Sequence, residues 1–378
     1  MRIGIIGGGA AGLAAAFELH RQGHKAVVYE NAPALGGQAS TFDVDGVPLE
    51  RGYHHLFVSD VDMVWLIHEL GLGSKLAWIE SKVGLYRNGR IWPFTTPLDL
   101  LRFGAISPLE RARLGVASLL LQRNRDWRKF EPYTAASYLP SKVGREAYEA
   151  VWEPLLRGKF GQYFDQVGMT WLWGKLALRL ASRGKSMASE QLGYPMGGFG
   201  EVFATLGERI IEMGGEVKTS AQVHRIVVEG GQTTGLEVKL PDGKATVEPF
   251  DAVIATVPSY ALPPLLPEVP ESYLKLLTGV TYLSAVLIIL VLDRPLTWAY
   301  WINVADRDIP IVAIIEQTNL LPPERYGGKH IVYLSNYLGR ENPLYHMNHK
   351  ELLAEYLPHI PKFNPAFDPS WIHDSFYH

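Results

Sequence analysis

The N-terminal end of the chain shows two hydrophobic periods in quick succession. Residues 3–6 (Ile-Gly-Ile-Ile) form the short apolar run that is typical of a buried strand. An alanine-rich segment over Ala10–Arg21 predicts a helix, and residues 25–30 predict a second strand after Gly23. This order predicts a βαβ unit, whose parallel strands require a sheet that is covered on both faces.

The hydrophobic pattern changes twice farther along the chain. From about residue 60 to 185, apolar residues recur at helical spacing and predict a long helical insert. Near residue 197 short strands return, with turn signals at residues 230–231 and 241–243. The predicted elements are helices over 63–70, 109–121, 146–156, 170–181, 201–213 and 350–357, and strands over 222–229, 234–240, 244–248, 251–256, 284–292, 311–317 and 330–335.

Composition narrows the classes of function. The 378 residues favour two domains, because one ordinary core does not grow to that size. They include 36 Lys and Arg and 39 Asp and Glu, so the formal charge of −3 gives no electrostatic reason to expect a nucleic-acid partner. The absence of cysteine excludes disulfides, thiolate metal sites and a cysteinyl link to a cofactor.

The apolar runs do not predict a membrane span. Residues 115–121 and 280–292 both fall short of the roughly 18 apolar residues that suggest one. The second run is rich in Val, Ile and Leu, which favours a buried strand. Because the chain starts directly with a strand-like run, it leaves no room for a signal peptide. We therefore expect a cytoplasmic protein without a transmembrane segment.

A glycine-rich motif stands between the first predicted strand and the first predicted helix. Residues 7–12 (Gly-Gly-Gly-Ala-Ala-Gly) match the spacing G-x-G-x-x-G. In this context Gly7 allows a tight turn, Gly9 lets backbone N–H groups approach a pyrophosphate, and Gly12 lets helix and strand pack closely. The strand and the helix around the motif make a dinucleotide site a better interpretation than an ordinary glycine-rich turn.

The residues that follow the glycines complete this prediction. Ala10 and Ala11 open the helix, whose free N–H groups and positive dipole end attract phosphate. Glu30 ends the second strand, where a carboxylate accepts hydrogen bonds from a ribose hydroxyl and disfavours a 2′-phosphate. The motif by itself leaves the choice between NAD and FAD open.

A second pair of glycines separates NAD from FAD. Residues 35–41 contain Gly36, Gly37 and Gln38, and residues 50–55 follow with Glu-Arg-Gly-Tyr-His-His. Together they resemble the doublet-glycine motif of FAD-dependent amine oxidases and their relatives: protoporphyrinogen oxidases, phytoene desaturases and UDP-galactopyranose mutases. In that family an arginine usually follows the two glycines and helps to hold the phosphates. At that position Gln38 keeps hydrogen bonding and loses the charge.

The resemblance implies FAD as the cofactor and extends to later segments. It implies that Gly52, Tyr53 and His54 approach the cofactor. Three further segments fit the family pattern: a glycine-rich turn over 194–200, a strand over 222–226 whose Val223 backbone pairs with the adenine edge, and a strand over 251–258 that closes on the dinucleotide. The similarity covers most of the chain, and its specific motifs lie before residue 56.

The resemblance also implies a fold with two discontinuous domains. A Rossmann-like FAD-binding domain, a doubly wound parallel sheet with an antiparallel meander, is expected over residues 1–58 and 195–270. A substrate or cap domain of mixed helices and antiparallel sheet is expected over 59–194 and 271–378. Relatives finish with a flavin-binding strand and helix, and nothing after Ser335 resembles that segment. We therefore expect a truncated chain whose flavin ring lacks part of its wall.

Candidate catalytic residues are few, because a flavin accepts the hydride itself. His54 stands where mutase-like relatives carry a histidine beside the flavin; the alternative is a histidine that contacts neither ring nor substrate. Residues 155–161 resemble a segment that reaches the active-site cleft of protoporphyrinogen-oxidase-like proteins. Within it, Arg157 or Lys159 could bind an acidic substrate or stabilise a reduced, anionic flavin, and the alternative is an ordinary capping or solvated cation.

Two other groups of residues are candidates for a substrate or metal site. Residues 298–301 (Trp-Ala-Tyr-Trp) either line an apolar substrate tunnel or pack a core, since aromatic side chains carry much buried area. His346 and His349 have a spacing that could suit a metal, but no carboxylate or cysteine motif accompanies them. No metal site is expected.

The implied function is an FAD-dependent oxidoreductase that removes hydride from a C–N or C–C unit of a small molecule. The helical insert and the apolar runs favour a lipophilic substrate and a peripheral membrane contact. Two alternatives stay open. A non-redox flavoenzyme similar to UDP-galactopyranose mutase would bind a UDP-sugar, and a non-catalytic flavoprotein or FAD-free scaffold would have no turnover. The sequence indicates neither the electron acceptor nor the oligomeric state.

Overall fold

The computed structural model describes residues 1–181, 190–240 and 243–378, of which residues 178–181 are described by their backbone alone. The predicted turn over 241–243 therefore lies largely outside the described residues. In chain order, the helices are α1 (Ala10–Arg21), α2 (Val61–Glu69), α3 (Pro97–Arg102), α4 (Pro108–Arg123), α5 (Ala135–Val143), α6 (Arg145–Ala147), α7 (Glu153–Phe160), α8 (Met169–Ala181), α9 (Phe199–Glu212), α10 (Glu271–Thr278) and α11 (His349–Tyr356).

Strands alternate with these helices along most of the chain. They are β1 (Arg2–Ile6), β2 (Lys25–Tyr29), β3 (Thr41–Val44), β4 (Val47–Glu50), β5 (Leu56–Phe57), β6 (Leu76–Ser81), β7 (Val83–Arg87), β8 (Arg90–Pro93), β9 (Glu190–Pro195), β10 (Glu216–Lys218), β11 (Gln222–Glu229), β12 (Gln232–Lys239), β13 (Ala245–Pro249), β14 (Ala252–Ala255), β15 (Ser284–Leu292), β16 (Trp301–Val304), β17 (Ala313–Glu316), β18 (His330–Leu338) and β19 (Ile372–Tyr377).

The residues group into two compact units. The first unit comprises Met1–His54, Asp62–Ala77 and Tyr194–Tyr282, and the second comprises His55–Val61, Trp78–Gly193 and Leu283–His378. Both units are discontinuous, because the chain passes from one to the other more than once. Each unit has one main sheet and a hydrophobic core of its own.

The first unit is built on a parallel sheet in the order β10-β2-β1-β14. Ile5 pairs with Val28 on one side and with Ile254 on the other, so β1 lies in the interior of the sheet. Helix α1 has the bounds that the sequence predicts, and β11, β12 and β13 form the predicted antiparallel meander. The Rossmann-like α/β fold expected for this part of the chain is confirmed.

The second unit contains a larger, mostly antiparallel sheet in the order β19-β15-β18-β17-β16-β7-β8. Only the pair β7 and β16 is parallel. Strand β15 has the predicted bounds, and its residues from Val286 to Leu292 are buried, as expected of a central strand. This sheet and the helices around it form the mixed fold that the resemblance implies.

The uniformly helical prediction for residues 60–185 is wrong, because β6, β7 and β8 lie within it. Strands β7 and β8 form a hairpin in which Arg87 pairs with Arg90. The two residues between them, Asn88 and Gly89, have φ values of 54° and 72°. An Asn-Gly pair with positive φ makes the tight turn that joins two short strands. This local signal was present in the sequence and was overlooked.

The C-terminal residues form an edge strand that the sequence pattern does not predict. Strand β19 pairs antiparallel with β15, with Phe376 opposite Ile289 and Tyr377 opposite Ile288. The segment mixes polar and aromatic residues. It lies at the edge of the sheet, where it pairs with one strand. The segment has no hydrophobic period of its own and becomes a strand because it pairs with β15.

The helix predicted over residues 146–156 is interrupted. A π-helical turn over Tyr148–Trp152 separates α6 from α7. Pro154 follows this turn in the first turn of α7. Proline has no N–H to donate and its ring clashes with the carbonyl four residues earlier, so a wider turn at this point relieves both problems. The turn carries Val151 and Trp152, which reappear in the site described below.

The large sheet separates two hydrophobic cores within the second unit. Leu85 belongs to a core that contains residues of α4, α5, α7 and α8, whereas Tyr86 belongs to one that contains residues of β15, β18 and α11. Consecutive residues of a strand point to opposite faces, so β7 contributes to both cores. Within the described ranges, no helix combines the length and the apolar composition that crossing a membrane requires.

Candidate functional site

The turn between β1 and α1 is held by backbone and by one threonine side chain. Gly7 has a φ of 106°, a conformation that favours glycine, and its N–H donates to Tyr29 O at 2.9 Å. The hydroxyl of Thr256 donates to Ile6 O at 3.0 Å and lies 3.3 Å from Gly7 O. Thr256 therefore fixes the turn from the end of β14, a role that the glycine motif does not reveal.

The other two motif glycines have different surroundings. A Cβ on Gly12 would overlap the backbone oxygen of Gly7, so only glycine permits this approach of helix to strand. A Cβ on Gly9 would meet only Gly37 Cα, at 3.8 Å, within 4 Å. Gly9 is thus not required by packing within the described protein, which agrees with its predicted role of leaving room for a ligand.

The N-terminus of α1 offers hydrogen-bond donors to an anion. Ala10 and Ala11 are exposed, and no side chain of the described residues caps the helix. The first N–H groups of a helix have no partner within it, and the positive end of the helix dipole lies there. These backbone groups are suited to a phosphate.

Glu30 is positioned by two backbone N–H groups. Its carboxylate accepts hydrogen bonds from Gly8 N–H and Ala32 N–H, each at 2.7 Å. An ionised carboxylate has about four acceptor positions, so capacity remains for a ribose hydroxyl. The two contacts hold the side chain against the glycine turn, and the contact of Glu30 with a ribose stays a prediction.

The second glycine pair lies against the first. Gly36 N–H donates to Gly8 O at 2.9 Å, and Gly9 and Gly36 form an isolated parallel bridge. Gly37 begins a short 3₁₀ turn that includes Gln38, whose side chain is exposed. This cradle suits a diphosphate, because the start of α1 offers backbone N–H groups without a side-chain cap and a Cβ on Gly9 would occupy the open space beside them.

Val223 is buried in β11, next to a shift in register between Val223 and Arg225. A register shift of this kind leaves one residue out of the ladder. The predicted backbone contact between Val223 and adenine remains a prediction.

Glu50 organises the segment that contains Gly52, Tyr53 and His54. It is fully buried, and its carboxylate accepts hydrogen bonds from Tyr194 OH at 2.8 and 2.9 Å and from Phe199 N–H at 2.9 Å. Burial raises the pKa of Glu50 above its usual value, although these hydrogen bonds oppose the shift. Neither Glu50 nor Tyr194 is among the site residues that the sequence predicts.

His54 is oriented by the loop that carries it. Its Nδ1 lies 2.5 Å from Gly52 O, and its ring lies 5.7 Å from the ring of Phe199. Because a carbonyl oxygen only accepts, Nδ1 carries a proton, and a neutral His54 presents Nε2 as an acceptor. Tyr53 beside it is half-buried.

The second unit encloses an apolar cavity of about 320 Å³. Its walls are mostly aromatic and aliphatic, with few polar groups, as is usual for small-molecule sites. The lining residues are His55, Phe57, Val83, Leu85, Phe94, Val151, Trp152, Pro154, Leu155, Leu156, Gly158, Lys159, Trp171, Leu172, Lys175, Leu176, Trp301, Asn303, Val304, Val312, Ala313 and Tyr337.

Strand alternation explains part of this wall. Val83 and Leu85 are two residues apart on β7, and Trp301 and Asn303 are two residues apart on the adjacent β16, so each pair points to one face of the sheet. The π-helical turn and α7 supply the opposite wall. The indole N–H of Trp301 donates to Asn303 Oδ1 at 2.9 Å, which orients both side chains.

The structure separates the two cations predicted for the cleft. Lys159 lines the cavity, and its Nζ lies 4.9 Å from the centre of the Tyr337 ring. Arg157 is not among the lining residues. Its Nε donates to Glu153 at 2.8 Å, and its guanidinium lies 3.6 Å from the centre of the Phe164 ring. Those contacts fit the ordinary structural alternative for Arg157.

The histidine that lines the cavity is His55, which sequence reasoning missed. Its Nδ1 lies 3.0 Å from Tyr300 OH, and its ring packs edge-on against Phe57, Tyr300 and Trp301. In the aromatic cluster over 298–301, the two predicted roles are divided between residues. Trp301 lines the cavity, Tyr300 is buried core, and Trp298 is exposed.

The chain matches the model of one protein family over most of its length. The sequence profile described as flavin containing amine oxidoreductase matches residues 10–378. Among curated relatives, the mitochondrial protoporphyrinogen oxidase of Nicotiana tabacum is 25% identical over 173 residues, which covers 44% of this chain and 34% of that protein. This match therefore spans about a third of the length of the tobacco enzyme.

Solved structures show a similar fold. An oxidoreductase from Methanosarcina mazei superposes with a TM-score of 0.76 at 18% identity, covering all of this chain and 88% of the other. Reduced UDP-galactopyranose mutase superposes with a TM-score of 0.72 at 17% identity, covering all of this chain and 82% of the other. At these identities the likeness concerns the fold. On the match over residues 10–378, the chain belongs to the flavin containing amine oxidoreductase family.

Proposed function

We propose that the chain binds FAD in the first unit and oxidises a lipophilic small molecule whose apolar part occupies the cavity of the second unit. The observation that carries a dinucleotide is the glycine cradle with Glu30 beside it, since a ribose and a diphosphate both belong to one. Membership of the flavin containing amine oxidoreductase family favours FAD over NAD. When bound, FAD supplies the ring that accepts a hydride from a C–N or C–C unit.

The cavity supports a lipophilic substrate. Its walls include four rings with wide apolar faces, those of Phe57, Phe94, Trp171 and Trp301. Such walls favour an apolar molecule, and a charged UDP-sugar would lose much of its hydration there. The apolar lining therefore favours oxidation of a lipophilic molecule over the alternative reaction of a sugar nucleotide.

Lys159 and Lys175 suggest an additional substrate feature. Both lysines line the cavity among apolar residues. An ammonium group beside apolar walls would pair with an acidic group on an otherwise lipophilic substrate. Lys159 would then hold and orient the acid, while the aromatic walls exclude water from the apolar part.

The first experiment is an absorption spectrum of the purified chain before and after denaturation, with mass spectrometry of the released cofactor. FAD in the supernatant, together with turnover of lipophilic C–N or C–C substrates and a dye as electron acceptor, would support the proposal. A folded protein that is colourless and that added FAD cannot restore would contradict it and favour the scaffold alternative.

The role of Lys159 has its own test. The K159M and K159E variants should raise KM for an acid-bearing substrate, with a larger effect for the reversed charge, and should leave the flavin spectrum unchanged. R157M is the matched control, because Arg157 contacts Glu153 and Phe164 instead of lining the cavity. Equal effects of R157M and K159M on KM would contradict the assignment.

A further inference from the structure

Helix α4 is apolar on two of its faces. Leu114, Ala117 and Leu121 are buried in the core of the second unit. On another face of the helix, Leu109 and Leu120 are 69% and 62% exposed. A helix at a protein surface normally has one apolar face and one polar face, so the second apolar face needs its own explanation.

The exposed apolar residues extend beyond α4. Leu98 and Leu101 on α3, which packs against α4, are exposed, as are Val116 and Leu119 on α4 and Trp127 after it. We call these residues, with Leu109 and Leu120, the α3–α4 surface. Beside them runs a groove of about 470 Å³, whose walls include Val116 and Leu120 and whose rim includes Arg113 and Lys142.

Positive charge is in excess in the segment that carries this surface. Residues 97–145 contain nine Lys and Arg and four Asp and Glu, in a chain whose net charge is −3. Three of the four acids are occupied by local contacts, and one of them is Asp126, which accepts from Arg128 N–H at 3.2 Å. Asp99 accepts from the N–H groups of Thr95 and Thr96 in the α3 cap, and Glu110 is buried and accepts from Arg113.

We propose that the α3–α4 surface docks on an anionic lipid bilayer. Exposed leucines, a tryptophan and a surrounding excess of cations are the combination by which interfacial helices bind such membranes. The leucines would enter the boundary between head groups and acyl chains, while the cations pair with lipid phosphates. The charge complementarity selects an anionic bilayer over a second copy of this chain, which would carry the same positive field to the contact.

The test uses flotation of the full chain with vesicles of phosphatidylcholine, with and without phosphatidylglycerol. Binding should require phosphatidylglycerol and weaken with added salt, because salt screens the contribution of the cations. The V116D/L120D variant should bind vesicles at least roughly tenfold more weakly, because two apolar side chains that would enter the bilayer are replaced by charged ones.

The matched control is L276D. Leu276 is 73% exposed on α10 and lies outside the α3–α4 surface, so its replacement adds a charge without touching that surface. L276D should bind vesicles like the wild type, and thermal unfolding should show that all variants are folded. A second variant, R123E/R125E, should weaken binding to vesicles that contain phosphatidylglycerol.

Three outcomes would overturn the proposal. The first is a wild type that does not bind anionic vesicles. The second is a V116D/L120D variant that binds these vesicles as well as L276D does. The third is a wild type that is a dimer in sedimentation velocity without lipid and a V116D/L120D variant that is a monomer, with neither protein binding vesicles. That last result would assign the surface to contact between copies of this chain.

Discussion

The glycine cradle of the first unit and the cavity of the second unit are built by opposite means. The cradle is made of backbone, and its shape depends on side chains that Gly7 and Gly12 do not have. The cavity is made of side chains that come from β7, β16, α7 and α8. We therefore expect the cradle to tolerate almost no added atoms, whereas the cavity should tolerate substitutions that conserve side-chain volume.

The largest effect is expected from G12A. The added Cβ would overlap Gly7 O, so β1 and α1 would have to separate, at a cost of about 3 kcal/mol or more. Flavin binding should be lost, which an absorption spectrum and a thermal melt would detect. The control is G174A, because a Cβ on Gly174 meets nothing within 4 Å. A G12A variant with a normal melting temperature and bound flavin would contradict the expected intolerance of the cradle to added atoms.

The next largest effect concerns a buried carboxylate in the second unit. Burial raises the pKa of Glu316 from 4.5 to about 7, although Leu296 N–H and Thr297 donate hydrogen bonds to it. Between these two values the native state binds more protons than the unfolded state. The contribution of Glu316 to stability is therefore complete below pH 4.5 and is lost as the pH rises to about 7, by about 3 kcal/mol.

Thermal melts of the wild type and E316Q at pH values across this range would measure that loss. We expect the melting temperature of the wild type to fall relative to that of E316Q as the pH rises. A difference that stays constant would show that Glu316 does not change its protonation there.

Glu50 is the corresponding buried carboxylate of the first unit. E50L leaves Tyr194 OH and Phe199 N–H without their acceptor, at a cost of about 1–3 kcal/mol. E50Q keeps one oxygen for both donors and should cost less. Because Glu50 lies two residues before Gly52, E50L should also weaken flavin binding. Equal melting temperatures for E50L and E50Q would mean that these hydrogen bonds contribute little.

The smallest effects are expected in the cavity wall. L155M nearly conserves volume and should cost less than about 1.5 kcal/mol, with turnover retained. L155W fills the cavity and should lower kcat/KM for a bulky lipophilic substrate by roughly tenfold or more while the flavin spectrum is unchanged. If L155M impaired turnover as severely as L155W, the cavity would be as intolerant as the cradle.

Local sequence was sufficient for elements whose period or turn chemistry is complete in itself. Helix α1, strand β11 and strand β15 have the predicted bounds. The hairpin β7–β8 was also within reach, since Asn88 and Gly89 are a strong turn signal. Strand β19 was not, because its residues have no regular hydrophobic period and become a strand by pairing with β15.

The two sites divide in the same way. The sequence by itself determined the glycine cradle, because steric limits on the backbone act between consecutive residues and leave a fixed spacing. Only the tertiary structure decided that His55 and Lys159, and neither His54 nor Arg157, line the cavity. That choice depends on which side chains remain next to empty volume after strands and helices distant in sequence have packed, and no local spacing records it.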